Sequence, residues 1–289
     1  MAIWLVMTVL VMLFLGIGRI APPSPQVYIL SWQPGDPLSI RVLDVDLNMS
    51  IHFAPQPSLP GAAVSDWALS PDGEHFAMKN AYDLMGMDNR GRNQHWLTQD
   101  GTNNHNPAWS PDGAKIVFVS ERDNNSEIYV MDADGGNPTR LTHNDVYDVS
   151  PSWSADGKYV AFTSYQDGDP DIYVMDDNGD NLHHLTDNPF FDALPVWSPD
   201  GQHILFLTNR GSEFFQLYVM NADGTDQHVV TSEVQNITPP SWSPDGQFIM
   251  FEGVVNNSIQ MVVADADGSR LRTVPGWNLP LMTPLWFRP

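Results

Sequence analysis

The chain has 289 residues, no cysteine, and a formal net charge of −22 from 13 basic against 35 acidic side chains. That balance argues against a nucleic-acid partner, which needs a basic surface, and favours cationic ones such as metal ions, basic peptides or a basic protein patch. Without cysteine there are no disulfides, no thiolate metal site, no Cys nucleophile and no lipidated N-terminal Cys.

In chain order, residues 1–18 come first and carry no charge, followed by Arg19 and the Pro-rich stretch Ala21 to Pro25. As a helix these residues reach roughly 27 Å, close to the hydrocarbon thickness of a bilayer. The segment 1–20 therefore reads as an N-terminal transmembrane anchor, and 21–26 as a linker. A signal peptide is the alternative, since Gly16-Ile17-Gly18 offers a small-x-small cleavage site. Either reading places the remainder outside the cytoplasm, in the periplasm or at the cell surface.

Beyond residue 26 no helical period competes with strand patterning. VYIL (from Val27), SIRVLD (from Ser39) and SIHFA (from Ser50) read as three strands. Then WSPDG or a near copy recurs, at Leu69, Trp109, Trp153, Trp197, Trp242 and, truncated, Trp286, in steps of 40, 44, 44, 45 and 44 residues. Such periods, built from short strands, mark propeller blades.

The third unit shows the pattern most clearly. Asn106 to Ser110 is a strand closed by a Pro-Asp-Gly turn, and Lys115 to Ser120 (KIVFVS) is apolar enough for burial on both faces. Glu127 to Asp132 (EIYVMD) is a third strand, Asp134-Gly135 a hairpin turn, and Thr139 to Thr142 the fourth strand. The recurring Trp is packing material that wedges between blades. The second blade is the weakest copy, because Gly86 in DLMGMD has no side chain to pack.

The N-terminal strands lack an inner partner, and Thr283 to Phe287 supplies one. The expectation is an all-β, six-bladed propeller over 27–289, with four antiparallel strands per blade, closed by pairing the N- and C-terminal strands. Its blades span about 27–60 plus 283–287, 62–100, 104–143, 148–188, 192–232 and 237–275.

Propeller connectivity puts the PDG and DADG turns on one face and the blade-to-blade and second-to-third-strand loops on the other. The latter is the less repetitive and the better candidate site. Asn104, Asp148 and Asp192 each precede a repeat Trp by five residues. They are expected to ring the channel mouth with His105, His143 and Asp145, either as oxygen ligands for Ca²⁺ or another divalent cation or as strand-end caps. Tyr147, Asp148, Phe190, Phe191, Asp192, Phe214 and Phe215 form the candidate partner-binding set, joined by Tyr165. The DADG turns lack the EF-hand spacing and read as hairpins. Nothing marks a catalytic residue, and there is no HExxH and no G-x-S-x-G.

The segment NPAWSPDGAKIVFVSERDNNSEIYVMDADGGNPTRLT, residues 106–142, closely resembles the repeat of TolB-type propellers, also called the WD40-like or PD40 repeat. The resemblance implies a binding module or scaffold for a protein or peptide. The same repeat occurs in the periplasmic Tol–Pal component, in propellers of dipeptidyl-peptidase-like hydrolases and in oligogalacturonate lyases. The alternative it carries is a metal-dependent carbohydrate-active enzyme of the lyase kind, with His105 and His143 near the axial channel.

Overall fold

The computed structural model describes residues 66–89, 91–212, 214–231 and 239–274 with their side chains, and the strands β1 (Gln26–Ser31), β2 (Ser39–Asp44), β3 (Met49–Phe53) and β24 (Leu285–Phe287) by their backbone pairing. The anchor assigned to 1–20 and the linker before Gln26 lie outside the described residues. Every regular element among the described residues is a strand, and none of them is a helix long and apolar enough to cross a membrane.

The strands group into four-stranded antiparallel sheets. Five are consecutive in sequence and described in full. Blade 2 comprises β4 (Trp67–Leu69), β5 (His75–Asn80), β6 (Asp83–Asp88) and β7 (His95–Trp96). Blade 3 comprises β8 (Asn104–Trp109), β9 (Lys115–Ser120), β10 (Glu127–Asp132) and β11 (Thr139–Arg140). Blade 4 comprises β12 (Asp148–Trp153), β13 (Tyr159–Ser164), β14 (Asp171–Asp176) and β15 (His183–His184). Blade 5 comprises β16 (Asp192–Trp197), β17 (His203–Thr208), β18 (Gln216–Asn221) and β19 (His228–Thr231). Blade 6 comprises β20 (Ser241–Trp242), β21 (Phe248–Val255), β22 (Ser258–Asp265) and β23 (Arg272–Thr273). The further sheet runs β24-β1-β2-β3 and joins the two ends of the chain, with Val27 opposite Trp286.

The second strand of blades 3, 4 and 5 is a nearly continuous apolar run because both its faces meet other blades. In blade 3, Ile116 and Phe118 pack with Ala77, Leu84 and Leu97 of blade 2, while Val117 and Val119 pack with Trp153, Val160 and Phe162 of blade 4. Phe118, Phe162, Phe206 and Phe251 hold one repeat position and are fully buried. The first three sit opposite Tyr129, Tyr173 and Tyr218 on the neighbouring strand, aromatic pairs that contribute about 0.2–1 kcal/mol each. The recurring Trp also bridges blades. Trp153 donates from Nε1 to the Ala108 carbonyl at 3.2 Å, and Trp242 to that of Val196 at 3.3 Å.

The Pro-Asp-Gly turns are closed by a hydroxyl relay. Ser154 Oγ donates to Asp156 Oδ1 at 2.8 Å and accepts the Tyr159 amide at 3.0 Å. The same pair of bonds recurs at Ser70, Ser110, Ser198 and Ser243. At the other turn of each blade, glycine is demanded by the neighbour. Gly179 has φ +90°, and a Cβ there would stand 2.8 Å from the Leu141 carbonyl oxygen of the preceding blade. The gap at Gly86 is filled by the His95 ring, which lies where a Cβ would be.

The inner strands are bulged, which alternation alone does not predict. Register shifts between His105 and Ala108, Val149 and Ser152, and Ala193 and Val196 leave Asn106, Ser150 and Leu194 in the left-handed region, each followed by proline. A proline has no amide to leave unpaired, so it suits the residue displaced from the ladder.

Candidate interaction face and blade junctions

The loop-rich face is organised by one polar junction repeated between blades. At the start of the third strand stands an acid: Asp83, Glu127 or Asp171. Thr98, Thr142 and Thr186 come from the outer end of the same blades. Their hydroxyls donate to those acids at 2.9, 2.6 and 2.8 Å. Each accepts, at 2.9 Å, the amide of the residue after the acid, namely Leu84, Ile128 or Ile172.

The next blade closes the junction with a carboxylate–amide pair four residues apart. Asn104 Nδ2 donates to Asp100 Oδ1 at 2.9 Å, Asn144 to Asp148 Oδ2 at 2.8 Å, and Asn188 to Asp192 Oδ2 at 2.7 Å. The polarity is reversed in the first pair, yet every pair keeps one donor and one carboxylate. Asn104, Asp148 and Asp192 are therefore fully buried beneath the face. Their side chains belong to the strand-end hydrogen-bond network. The recurring LT and the Asp/Asn alternation four residues apart were the signals for it in the sequence.

Cations are distributed unevenly over the junctions. Arg122 pairs with Asp100 at 2.7 Å and lies over the Tyr129 ring at 4.5 Å. Arg140 donates to Glu127 at 2.6 Å, and Arg210 pairs with the buried Asp192. In blade 4 the position of those Arg122 and Arg210 side chains is taken by Gln166, and Asp148 has no arginine partner among the described residues. Burial pushes the Asp148 carboxyl above the usual carboxylate range, with the nearby Glu127 adding to the rise. Asp171 is pushed up to about 6, by burial first and then by Asp169, Asp192 and Asp187.

Above this layer the aromatic set is split between anchoring and exposure. Phe191 and Phe215 stack edge to face at 4.9 Å, half-buried, while Phe190 and Phe214 stay 40% and 39% exposed. Tyr147, at 59%, rests edge-on against the half-buried Tyr165 at 6.2 Å. Their loops are tied together by backbone, with the Tyr165 amide donating to the Tyr147 carbonyl at 3.1 Å. Asp145 and His143 are exposed in the same loop, whereas His105 is half-buried against Asn106 and Glu121. Glu233 and Asn236, which the sequence assigns to a blade-to-blade loop, lie outside the described residues.

Two parts of the face were not singled out from the sequence. Tyr82, 66% exposed, stands in the β5–β6 turn. In blade 6, β21 and β22 extend to a two-residue turn, Asn256-Asn257, with φ of 51° and 60°, and the hairpin carries Ile259 at 45% exposure. Two adjacent asparagines between apolar runs were the readable sign of that hairpin.

Along the axis lies a cavity of about 470 Å³, bounded by the bulged inner strands and by Pro107, Pro151, Pro195 and Pro240. Among the described residues, no three or more His, Asp or Glu side chains are grouped so as to hold a metal ion. His105 and His143 thus have no further ligands gathered around them there.

Four-stranded blades stacked side by side around an axial cavity define a β-propeller. The chain belongs to the PD40 family, the TolB beta propeller domain, whose model matches residues 57–166 and 147–276. No curated protein matches it significantly. Among solved structures it is similar to a protein assigned as TolB from Agrobacterium tumefaciens, with 23% identity and a TM-score of 0.72, over 82% of this chain and 87% of that one. It is also similar to TolB from Acinetobacter baumannii, with 22% identity and a TM-score of 0.74; the match covers 91% of this chain but only 66% of that protein's length. An oligogalacturonate lyase in complex with manganese shares the fold at 13% identity and a TM-score of 0.58, over 82% of this chain and 70% of that one.

Proposed function

We propose that this propeller is a non-catalytic, extracytoplasmic binding module whose loop-rich face engages a protein or peptide of basic character. The observation that carries the reading is the arrangement of Tyr147, Phe190 and Phe214. Each is held out to solvent by a half-buried neighbour or loop bond, so the side chains are presented rather than merely uncovered. Around them stand Asp145, Asp167 and Asp187, and the nearest arginines, Arg122, Arg140 and Arg210, are already committed to carboxylates. A basic partner gains steering from such a field, and the aromatics supply contact area. Membership of the TolB propeller family and the uncharged segment 1–18 support an extracytoplasmic, membrane-anchored placement.

The test is affinity capture with the full-length chain and with the triple variant Y147A/F190A/F214A as baits. A partner retained by the wild-type protein and lost by a variant of unchanged melting temperature supports the reading. Equal retention by both baits overturns it.

A further inference from the structure

The opposite face, built from the Pro-Asp-Gly and Asp-Ala-Asp-Gly turns, contains a cavity of about 670 Å³ between blades 4 and 5. It exists because one repeat departs from the rest. At the other described junctions between blades 2 and 6 a proline packs against a glycine of the next blade. Pro111 Cγ lies 3.2 Å from where a Cβ on Gly157 would be, and Pro199 Cγ lies 3.3 Å from that of Gly246. At this junction the residue facing Gly201 is Ala155, whose methyl leaves the space of the missing ring methylenes unfilled.

The cavity floor is apolar and aromatic, from Val174, Trp197, Ala222 and the half-open Tyr159 ring. Trp197 is 9% exposed, and its buried Nε1–H, like that of Trp109, has no acceptor among the described residues, whereas those of Trp153 and Trp242 do. The rim is acidic, from Asp156, Asp200 and Asp223. Asp156 is neutralised by Lys158 at 2.9 Å. Asp200 and Asp223 spend only Oδ1 on their turns, accepting from Ser198 and Gln202 and from Thr225, and their Oδ2 atoms have no hydrogen bond among the described residues. His183 borders the same space. Its Nδ1 lies 2.9 Å from the Asn181 carbonyl and so carries the proton, which leaves Nε2 of the neutral ring as an acceptor.

We propose that this cavity binds an apolar-stemmed organic cation, an alkylguanidinium or alkylammonium group, whose stem lies on Trp197 and Tyr159 and whose head meets Asp200 and Asp223. The group is either a free small molecule or an Arg or Lys side chain of a peptide. Aromatic faces and unpaired carboxylates attract a cation for independent reasons, the ring quadrupole and the full charge. The proposal does not rest on the loop-rich face.

Isothermal titration of the full-length chain at low salt tests it, with Nα-acetyl-arginine N-methylamide, its uncharged isostere Nα-acetyl-citrulline N-methylamide, and agmatine. The arginine probe is expected to bind at least about fivefold tighter than the citrulline probe, the upper size of one partly screened charge contact. Agmatine matching it points to a free cation, and agmatine falling well below it points to a peptide. The double variant D200N/D223N keeps the Oδ1 acceptors its turns need and should lose about tenfold or more in affinity. Ala155→Pro restores the ring found at the equivalent positions, so it should fold normally, melt no lower than the wild type and bind several-fold more weakly. No binding up to about 10 mM probe, equal binding of citrulline, or unchanged affinity in both folded variants would each overturn the proposal.

Discussion

Thr186→Val is the sharpest probe of the junction that shapes the loop-rich face. Thr186 is 1% exposed, and its hydroxyl both accepts the Ile172 amide at 2.9 Å and donates to Asp171 Oδ1 at 2.8 Å. Valine keeps the shape and removes both bonds. Leaving one buried amide unpaired costs about 1–3 kcal/mol, and losing a bond to a charged acceptor about 1.5–3 kcal/mol. Partial relaxation sets the expected loss at roughly 3 kcal/mol near pH 7.5. The loss should depend on pH. Asp171 titrates at about 6 in the folded protein, above the ordinary carboxylate value of 3.8. The folded state therefore holds a proton that the unfolded state has released between these values. This group's contribution to stability is greatest below about pH 4 and is lost as pH rises through about 6. The Thr186 hydroxyl moderates that rise by stabilising the ionised form, so removing it should cost more at pH 7.5 than at pH 4.5. Urea unfolding followed by tryptophan fluorescence at the two pH values gives both numbers. A loss below about 1 kcal/mol at pH 7.5, or an equal loss at both pH values, would refute the assigned role of Thr186.

Three further outcomes follow from the packing. Gly179→Ala places a methyl against the Leu141 carbonyl at positive φ, whereas Gly211→Ala, at φ +68°, meets nothing within 4 Å. Both should lower the unfolding free energy, Gly211→Ala by about 1 kcal/mol and Gly179→Ala by clearly more, as read by urea unfolding, and equal effects would discount the interblade contact. Arg210→Met leaves the buried Asp192 carboxylate without its cation and should cost about 3–5 kcal/mol in urea; a loss below about 1 kcal/mol would discount the pair. Deleting residues 283–289 removes β24, the partner of β1, and should cost several kcal/mol; an unchanged melting temperature would sink closure of the ring by the two chain ends.

Most of the blade pattern was legible before any coordinates, because the information that sets it is local. A strand buried on both faces must be apolar throughout, and KIVFVS, YVAFTS and HILFLT say so directly; the predicted Lys115 to Ser120 and Glu127 to Asp132 coincide with β9 and β10. A Pro-Asp-Gly turn carries its own geometry in three residues. The aromatic dipeptides were legible as a set, although only the packing shows that Phe191 and Phe215 anchor while Phe190 and Phe214 are presented.

The fate of the polar residues was not legible in the same way. Asn104, Asp148 and Asp192 have the composition of a cation-binding ring and of a strand-end cap alike. What separates the two is whether Thr98, Thr142 and Thr186, from the preceding blade, reach the same point in space. Likewise Ala155 is an unremarked variation on a proline until Gly201 of the next blade is brought opposite it, and the space between them becomes a cavity. The sequence by itself determined the repeat, the strands and the turns, since each depends on neighbours within a few residues. Only the tertiary structure decided which carboxylates are buried and where cavities open, since those depend on contacts between residues some forty positions apart that no local pattern records.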